Sequence, residues 1–265
     1  MKKISFIIFI LFGAVITLCS CNDAKLKAFA DEANKMCPMN LGDNSITKIT
    51  YEDNAFNYYV NDGETEFDLS KLEGHEDVLK KRYMYNLTEG DENPKFWKLI
   101  EDEGVNLKLR YTGMKSGKKI DVLLTNSELL EYRGKMRNPQ LRAKTFVELI
   151  TESINATCPQ DKGDGFNMKK AHMDSHGMVM EVALKQPITP DMMVESNVSK
   201  LKNNFIELLC KGDEEDNAID LVKNAIDANL CITYILTSEA NKNSITLQIT
   251  PDEMKEFMAS QKSDK

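Results

Sequence analysis

Two cysteines stand in the same local setting. Cys37 and Cys158 each close an amphipathic run and precede a proline, Pro38 and Pro159. A thiol could act there as a nucleophile if a base or a positive environment lowered its pKa. Neither has a histidine nearby in sequence, and the end of a helix disfavours a thiolate. A small apolar plug beneath the helix end is the plainer reading. Twin packing roles also explain the repetition more simply than twin active sites. His172 and His176 form the second set, with Asp174 between them and Met173, Met178 and Met180 close by. Imidazole with thioether suits copper better than magnesium, so His172, His176, Met178 and Met180 are candidate metal ligands. Against this, two histidines do not complete a site, and Met178, Met180, Val182 and Leu184 share one strand face as core residues do.

Other groups carry less chemistry. Glu101-Asp102-Glu103 and Glu214-Glu215-Asp216 lack the alternating oxygens and central glycine of a calcium loop. They read as solvated faces or as dipole partners of short helices. Lys162-Gly163-Asp164-Gly165 has no phosphate-loop lysine and serine behind it. His75 stands alone in a charged segment and is expected to be exposed.

The elements that position these residues occur twice. Leu26 to Cys37 and Phe146 to Cys158 both have apolar residues at helical spacing and stop at Cys-Pro, where proline disfavours helical geometry in the residue before it. Each then leads into two strand-like runs: Ile46 to Tyr51 and Ala55 to Val60, then Phe166 to Met173 and Met178 to Leu184. The polar turns between them predict hairpins. A longer amphipathic helix follows, about Asp68 to Leu87 and Met192 to Cys210, and then a shorter one, near Pro94 to Glu103 and Asn217 to Ala228. The closing segments match best: Val105 to Tyr111 against Ala228 to Tyr234, and Ile120 to Leu129 against Ile245 to Met254. The offset between copies drifts from 121 (158 − 37) through 123 (229 − 106) to 125 (245 − 120).

Each copy therefore reads α-β-β-α-α-β-β, with a capped helical turn opening at Asn126 or Pro251. The expected fold is α+β, in two tandem homologous units, each an antiparallel sheet covered by helices on one face. The expected divisions are residues 1–20, a first repeat over 21–135, a basic linker at 136–145 broken by Pro139, and a second repeat over 146–265. With the 123 offset, Phe96 faces Ile219 and Leu99 faces Val222, both apolar pairs, while Trp97 faces Asp220. A place held by aspartate in one copy is expected to face solvent. Trp97 is thus a candidate partner-contact residue, or else a cover for the junction between units.

Composition bounds the function. The chain has 265 residues, 42% hydrophobic and 29% charged, with 42 acids against 34 bases and a net charge of −8. These are globular values, and an acidic surface disfavours nucleic acid. Cys37, Cys158, Cys210 and Cys231 are expected to be mostly buried thiols. As disulfides they would allow three pairings, which sequence does not choose among.

The amino terminus adds location. Lys2 and Lys3 precede a nearly unbroken apolar stretch from Ile4 to Leu18, followed by Leu18-Cys19-Ser20-Cys21. The stretch is shorter than the roughly 20 residues of a membrane span and has the order of an export signal. The four residues resemble the lipobox of bacterial lipoprotein precursors. That resemblance implies cleavage after Ser20, a thioether-linked diacylglycerol on Cys21, and acyl chains such as palmitate anchoring the chain to a bilayer outside the cytoplasm. An ordinary signal cut near Ser20, releasing a soluble chain, is the alternative. Loss of residues 1–20 removes two lysines and no acid, taking the charge from −8 to −10. The paired Cys-Pro units resemble those of uncharacterised secreted bacterial proteins, which implies no activity. There is a fold-level analogy with β-lactamase-inhibitor-protein-like modules, without matched residues. The expected function is a non-enzymatic envelope lipoprotein that binds an envelope protein or a ligand, with no cofactor. The alternatives are a metal-binding lipoprotein using His172 and His176, or a thiol enzyme using Cys37 or Cys158.

Overall fold

The computed structural model describes residues 22–64, 69–89, 94–161, 163, 165–211 and 218–263. The chain divides into unit 1, Met1–Arg137, and unit 2, Asn138–Lys265. Unit 1 contains α1 (Asn22–Asn34), β1 (Met39–Leu41), β2 (Asn44–Glu52), β3 (Ala55–Asp62), a 3₁₀ turn (Leu69–Leu72), α2 (Glu76–Glu89), α3 (Pro94–Glu103), β4 (Asn106–Gly113), β5 (Lys119–Leu124) and α4 (Asn126–Met136). Unit 2 repeats the order with α5 (Pro139–Ala156), β6 (Gln160–Asp161), β7 (Phe166–Met173), β8 (Gly177–Leu184), a 3₁₀ turn (Pro190–Met193), α6 (Glu195–Lys211), α7 (Ala218–Asp227), β9 (Cys231–Ser238), β10 (Ser244–Ile249) and α8 (Pro251–Ser263). The fold is α+β in two tandem units. Each gains one short strand after its Cys-Pro, and the capped turn at its end is a full helix.

Two expectations need correction. The segment 136–145 is not an open linker: α4 runs to Met136 and α5 starts at Pro139, with the Asn138 side chain accepting from the Gln140 and Leu141 amides. Proline at the first helical position begins this helix instead of interrupting one. Nor are the sheets wholly antiparallel. Each has five strands in the order β1-β2-β3-β4-β5 or β10-β9-β8-β7-β6, and the β3–β4 and β8–β9 pairs are parallel. The two helices between these strands carry the chain back to the end where the earlier strand began, as a parallel pair requires.

The helices pack on the sheet face that bears the apolar side of the strand alternation. In unit 1, Ile49, Phe56, Tyr58, Leu107, Leu109, Val122 and Leu124 are buried, and the Phe29 ring of α1 meets Phe56 edge-on at 5.6 Å. In unit 2, Met178, Met180, Ile232, Leu236, Leu247 and Ile249 are buried, and Phe205 of α6 lies 4.5 Å from Tyr234.

The same small devices recur in both units. The Asn34 side chain accepts from the Ile49 amide at 2.9 Å, and Asn155 accepts from Ala171 at 3.3 Å. Each contact joins a helix end to a strand just past a register shift, at Ile46/Lys48 or Met168/Lys170. Thr125 and Glu128 form a capping box at the start of α4, and Glu128 also takes Lys80 at 2.5 Å. Thr250, Glu253 and Lys202 repeat that arrangement at α8.

One turn is solved differently. In unit 1 the Glu64 carboxylate accepts from the Ser116 hydroxyl (2.5 Å) and from the Lys115, Ser116 and Leu69 amides (2.6, 2.7 and 3.1 Å). A Cβ on Gly113 would lie 2.5 Å from Glu64 Oε1, a group that four donors pin in place. In unit 2 the Gly113 place is Ser238 (238 − 113 = 125) and the Glu64 place is Gln186 (186 − 64 = 122). There the Ser238 hydroxyl accepts from the Ala240 and Asn241 amides and donates to the Gln186 carbonyl. One turn is held by a carboxylate from the opposite strand end, the other by a hydroxyl within it.

The Ser116 hydroxyl bond, with the backbone amides, holds the Glu64 carboxyl at about 2. A folded pKa below the ordinary value means that the ionised form favours folding. Its contribution is complete above about pH 4.5 and disappears as pH falls toward 2. Acid titration of stability should therefore show a shallower loss over that window in Glu64→Gln than in wild type. Gly113→Ser should destabilise unit 1 in thermal melts, since its Cβ would meet both Glu64 and the Ser116 hydroxyl. Gly134, exposed in α4 with open space around its Cα, is the contrasting case. Gly134→Ala should raise unfolding free energy by about 0.5–1 kcal/mol in denaturant titrations.

Candidate functional site

Cys37 and Cys158 lie where the sequence places them, just past the ends of α1 and α5, each in a cis bond to its proline. Cys37, Cys158, Cys210 and Cys231 are all thiols, and all are half-buried instead of fully enclosed. Burial pushes the Cys37 and Cys210 thiols up. Burial also raises Cys231, and Asp174 and Glu253 add to the rise. These environments oppose thiolate formation and give a nucleophile no help.

The pleat of the sheet separates the histidine–methionine group. His172 pairs across the ladder with Val179, whereas Ala171 and Met173 pair with Met180 and Met178. Directly opposed residues share a face, so Met178 and Met180 lie on the side opposite His172. Both methionines are buried in the core, where Met173 Sδ takes the Thr151 hydroxyl of α5. His172 Nδ1 lies 3.6 Å from Glu181 on the other side. His176 is exposed in the turn, its amide bonded to Asp174. Among the described residues, no group of three or more His, Cys, Asp or Glu side chains is placed to hold a metal ion. Proximity in sequence misled here because adjacent strand residues point to opposite faces.

Trp97 needs the firmest correction. It is 0% exposed, with the Arg133 guanidinium of α4 4.7 Å above its ring and Arg133 paired to Glu101 at 2.7 Å. The offset of 123 is at fault. Leu107 pairs with Leu124 and Ile232 with Ile249, so the closing strands correspond at 125 (232 − 107). Carried into the preceding helix, that register puts Trp97 opposite Val222, also 0% exposed. Trp97 is core, not a contact patch. Glu101 and Asp102 are exposed as expected, while Glu214, Glu215, Asp216, Lys162, Asp164, Cys21 and residues 1–20, read above as an export signal, lie outside the described residues.

The side chains that the fold does gather stand on the sheet faces away from the helices. Across β2 to β5 of unit 1, Lys48, Tyr59, Arg110 and Asp121 form one cross-strand row. Thr50, Asn57, Lys108 and Leu123 form the next. Lys48 Nζ lies 5.3 Å and Arg110 Cζ 5.4 Å from the centre of the Tyr59 ring, within cation–π range. Arg110 Nε donates to Asn57 Oδ1 at 3.2 Å, and the buried Asn57 amide is itself held by the Ala55 carbonyl at 3.0 Å. Lys108 reaches Asp121 at 3.0 Å and Arg110 Nη1 reaches it at 3.6 Å. Such partly exposed ion pairs add little stability. They fix where the charges stand.

The equivalent rows of unit 2 are Lys170, Glu181, Ile235 and Thr246, and His172, Val179, Thr233 and Gln248. The core faces of the two units match in kind, while these outer rows share only the leading lysine. Sequence reading passed over Lys48, Tyr59, Asn57 and Arg110 because each is an ordinary polar strand residue. A comparison of the two copies at outward positions only, in the strand register, would have singled them out.

No family model matches the chain, and no curated protein matches it. Among solved structures, the chain is similar to a Pseudomonas aeruginosa protein described as secreted. The identity is 9% and the TM-score 0.34, over 44% of this chain and 96% of that one. A likeness at that level carries no conclusion about fold or activity.

The thiol environments predict slow chemistry. Cys37 in the folded chain should react with iodoacetamide at pH 8 more slowly than after unfolding, with the modified site read by mass spectrometry. Labelling faster in the folded state would restore Cys37 as a nucleophile.

Proposed function

We propose that this protein is a lipid-anchored component of the bacterial envelope that acts by binding and not by catalysis, with the outer sheet face of unit 1 as its contact surface. The lipobox-like Leu18 to Cys21 supports the anchor. Among the described residues no helix is long and apolar enough to cross a membrane. Binding is supported above all by the Lys48–Tyr59–Arg110 row, an aromatic ring with two cations beside it on a partly solvated surface. Tyrosine and arginine are enriched where proteins meet. The raised Cys37, Cys210 and Cys231 thiols favour binding over thiol chemistry.

Two measurements test the two halves of this reading. Cells producing the full chain and fed an alkyne-bearing palmitate should acylate it, and Cys21→Ala should abolish the label. A palmitate label that survives Cys21→Ala would overturn the anchor. For binding, a photo-cross-linking amino acid at Tyr59 in the full chain should trap a discrete envelope protein in living cells. Absence of any adduct from Tyr59, with or without one from the equivalent Glu181 of unit 2, would overturn this reading.

A further inference from the structure

From the charges around Tyr59 we infer that the outer face of unit 1 recognises an acidic polypeptide segment, whose carboxylates seat beside Lys48 and Arg110 on either side of the ring. This rests on the binding reading above and names the class of partner.

The first support is charge of opposite sign to the chain. The mature protein carries −10 (−8 with two lysines removed), yet this face collects Lys48, Lys108, Arg110 and Lys119 against Glu52 and Asp121. Lys119 belongs to the same face because it stands opposite Thr112, two residues on from Arg110. A cationic field on an acidic protein is local, so it orients a partner at short range, within the roughly 8–10 Å over which salt leaves charges visible.

The second support is preorganisation. Asn57 fixes Arg110 through Nε, the donor farthest from the fork, and the guanidinium head stays partly solvated at 35% side-chain exposure. A planar fork held in this way suits a carboxylate, which can accept two parallel N–H bonds. Lys48 and Arg110 lie on strands two apart, so two carboxylates about 10 Å apart could engage both cations across Tyr59.

The third support is what the face is not. Asp121 and Glu52 stand among the cations, and a uniform polyanion such as an anionic bilayer or a sulfated glycan would meet both. A polypeptide can place neutral or basic side chains opposite them, and so turn the mixed signs into register. Unit 2 offers no equal, since Glu181 and Ile235 occupy the places of Tyr59 and Arg110.

Poly-L-glutamate is the probe, titrated against the full chain in non-ionic detergent. It should bind wild type with an affinity that falls as salt rises. Lys48→Gln/Arg110→Gln should weaken it roughly tenfold, while Lys170→Gln in unit 2 leaves it unchanged. Asp121→Asn, which removes a competing carboxylate, should tighten it, so a gain as well as a loss is expected. Thermal melts of each variant confirm that the fold is kept. Equal affinity in Lys48→Gln/Arg110→Gln, weaker binding in Asp121→Asn, or tighter binding of dextran sulfate or phosphatidylglycerol vesicles than of poly-L-glutamate would each overturn the proposal. If poly-L-glutamate ignores Lys48 and Arg110 while cross-linking from Tyr59 still traps a partner, this inference fails and the binding reading stands.

Discussion

The parallel pairing of β3 with β4, repeated by β8 with β9, is the constraint on which each unit is built. Two parallel neighbours cannot be joined by a tight turn, so the chain must leave the sheet and return over one of its faces. Here α2 and α3, or α6 and α7, make that journey. They bring their apolar stripes to the same side that α1 or α5 already covers, and the core forms there. The other side carries less of the packing, although Asn57, Val179 and Thr233 at its centre are buried. Around them the side chains can be lysine, arginine, tyrosine or histidine.

That division of labour explains how the two units remain alike and differ together. Residues facing the helices keep their type between copies: Leu107 and Ile232, Leu124 and Ile249, Trp97 and Val222. The capping boxes and the asparagine contacts between helix end and strand persist too, because each satisfies backbone groups that would otherwise lack partners. On the outer faces that demand is weaker, and Arg110 has Ile235 for its counterpart. Difference accumulates where structure is indifferent, which is also where a surface can be specialised.

Much of this was legible in the chain. The helix stops at Cys-Pro, the hairpins, and the two helices that follow were marked by proline, by period-two alternation and by apolar spacing. The direction of β4 was not, since an alternating strand reads the same whichever way it runs. The register was half legible. Asn106 and Asn229 look like partners, but the ladder joins Leu107 to Leu124 and Ile232 to Ile249, two residues out of step with that match. A slip of two keeps strand faces intact but rotates a helix by about 200°. That is why the strands were aligned plausibly while Trp97 was sent to the surface. The outer face was the least legible, because Lys48, Tyr59 and Arg110 become neighbours only through hydrogen bonding between strands far apart in sequence.

The turn held by Glu64 in one unit and by Ser238 in the other makes each a matched set. Gly113 leaves room for the Glu64 carboxylate, and Lys115 and Ser116 just beyond it supply the donors that hold it. Ser238 fills the equivalent place with a hydroxyl that takes its own Ala240 and Asn241 amides. Exchanging one residue of either set without the rest would carry neither solution across.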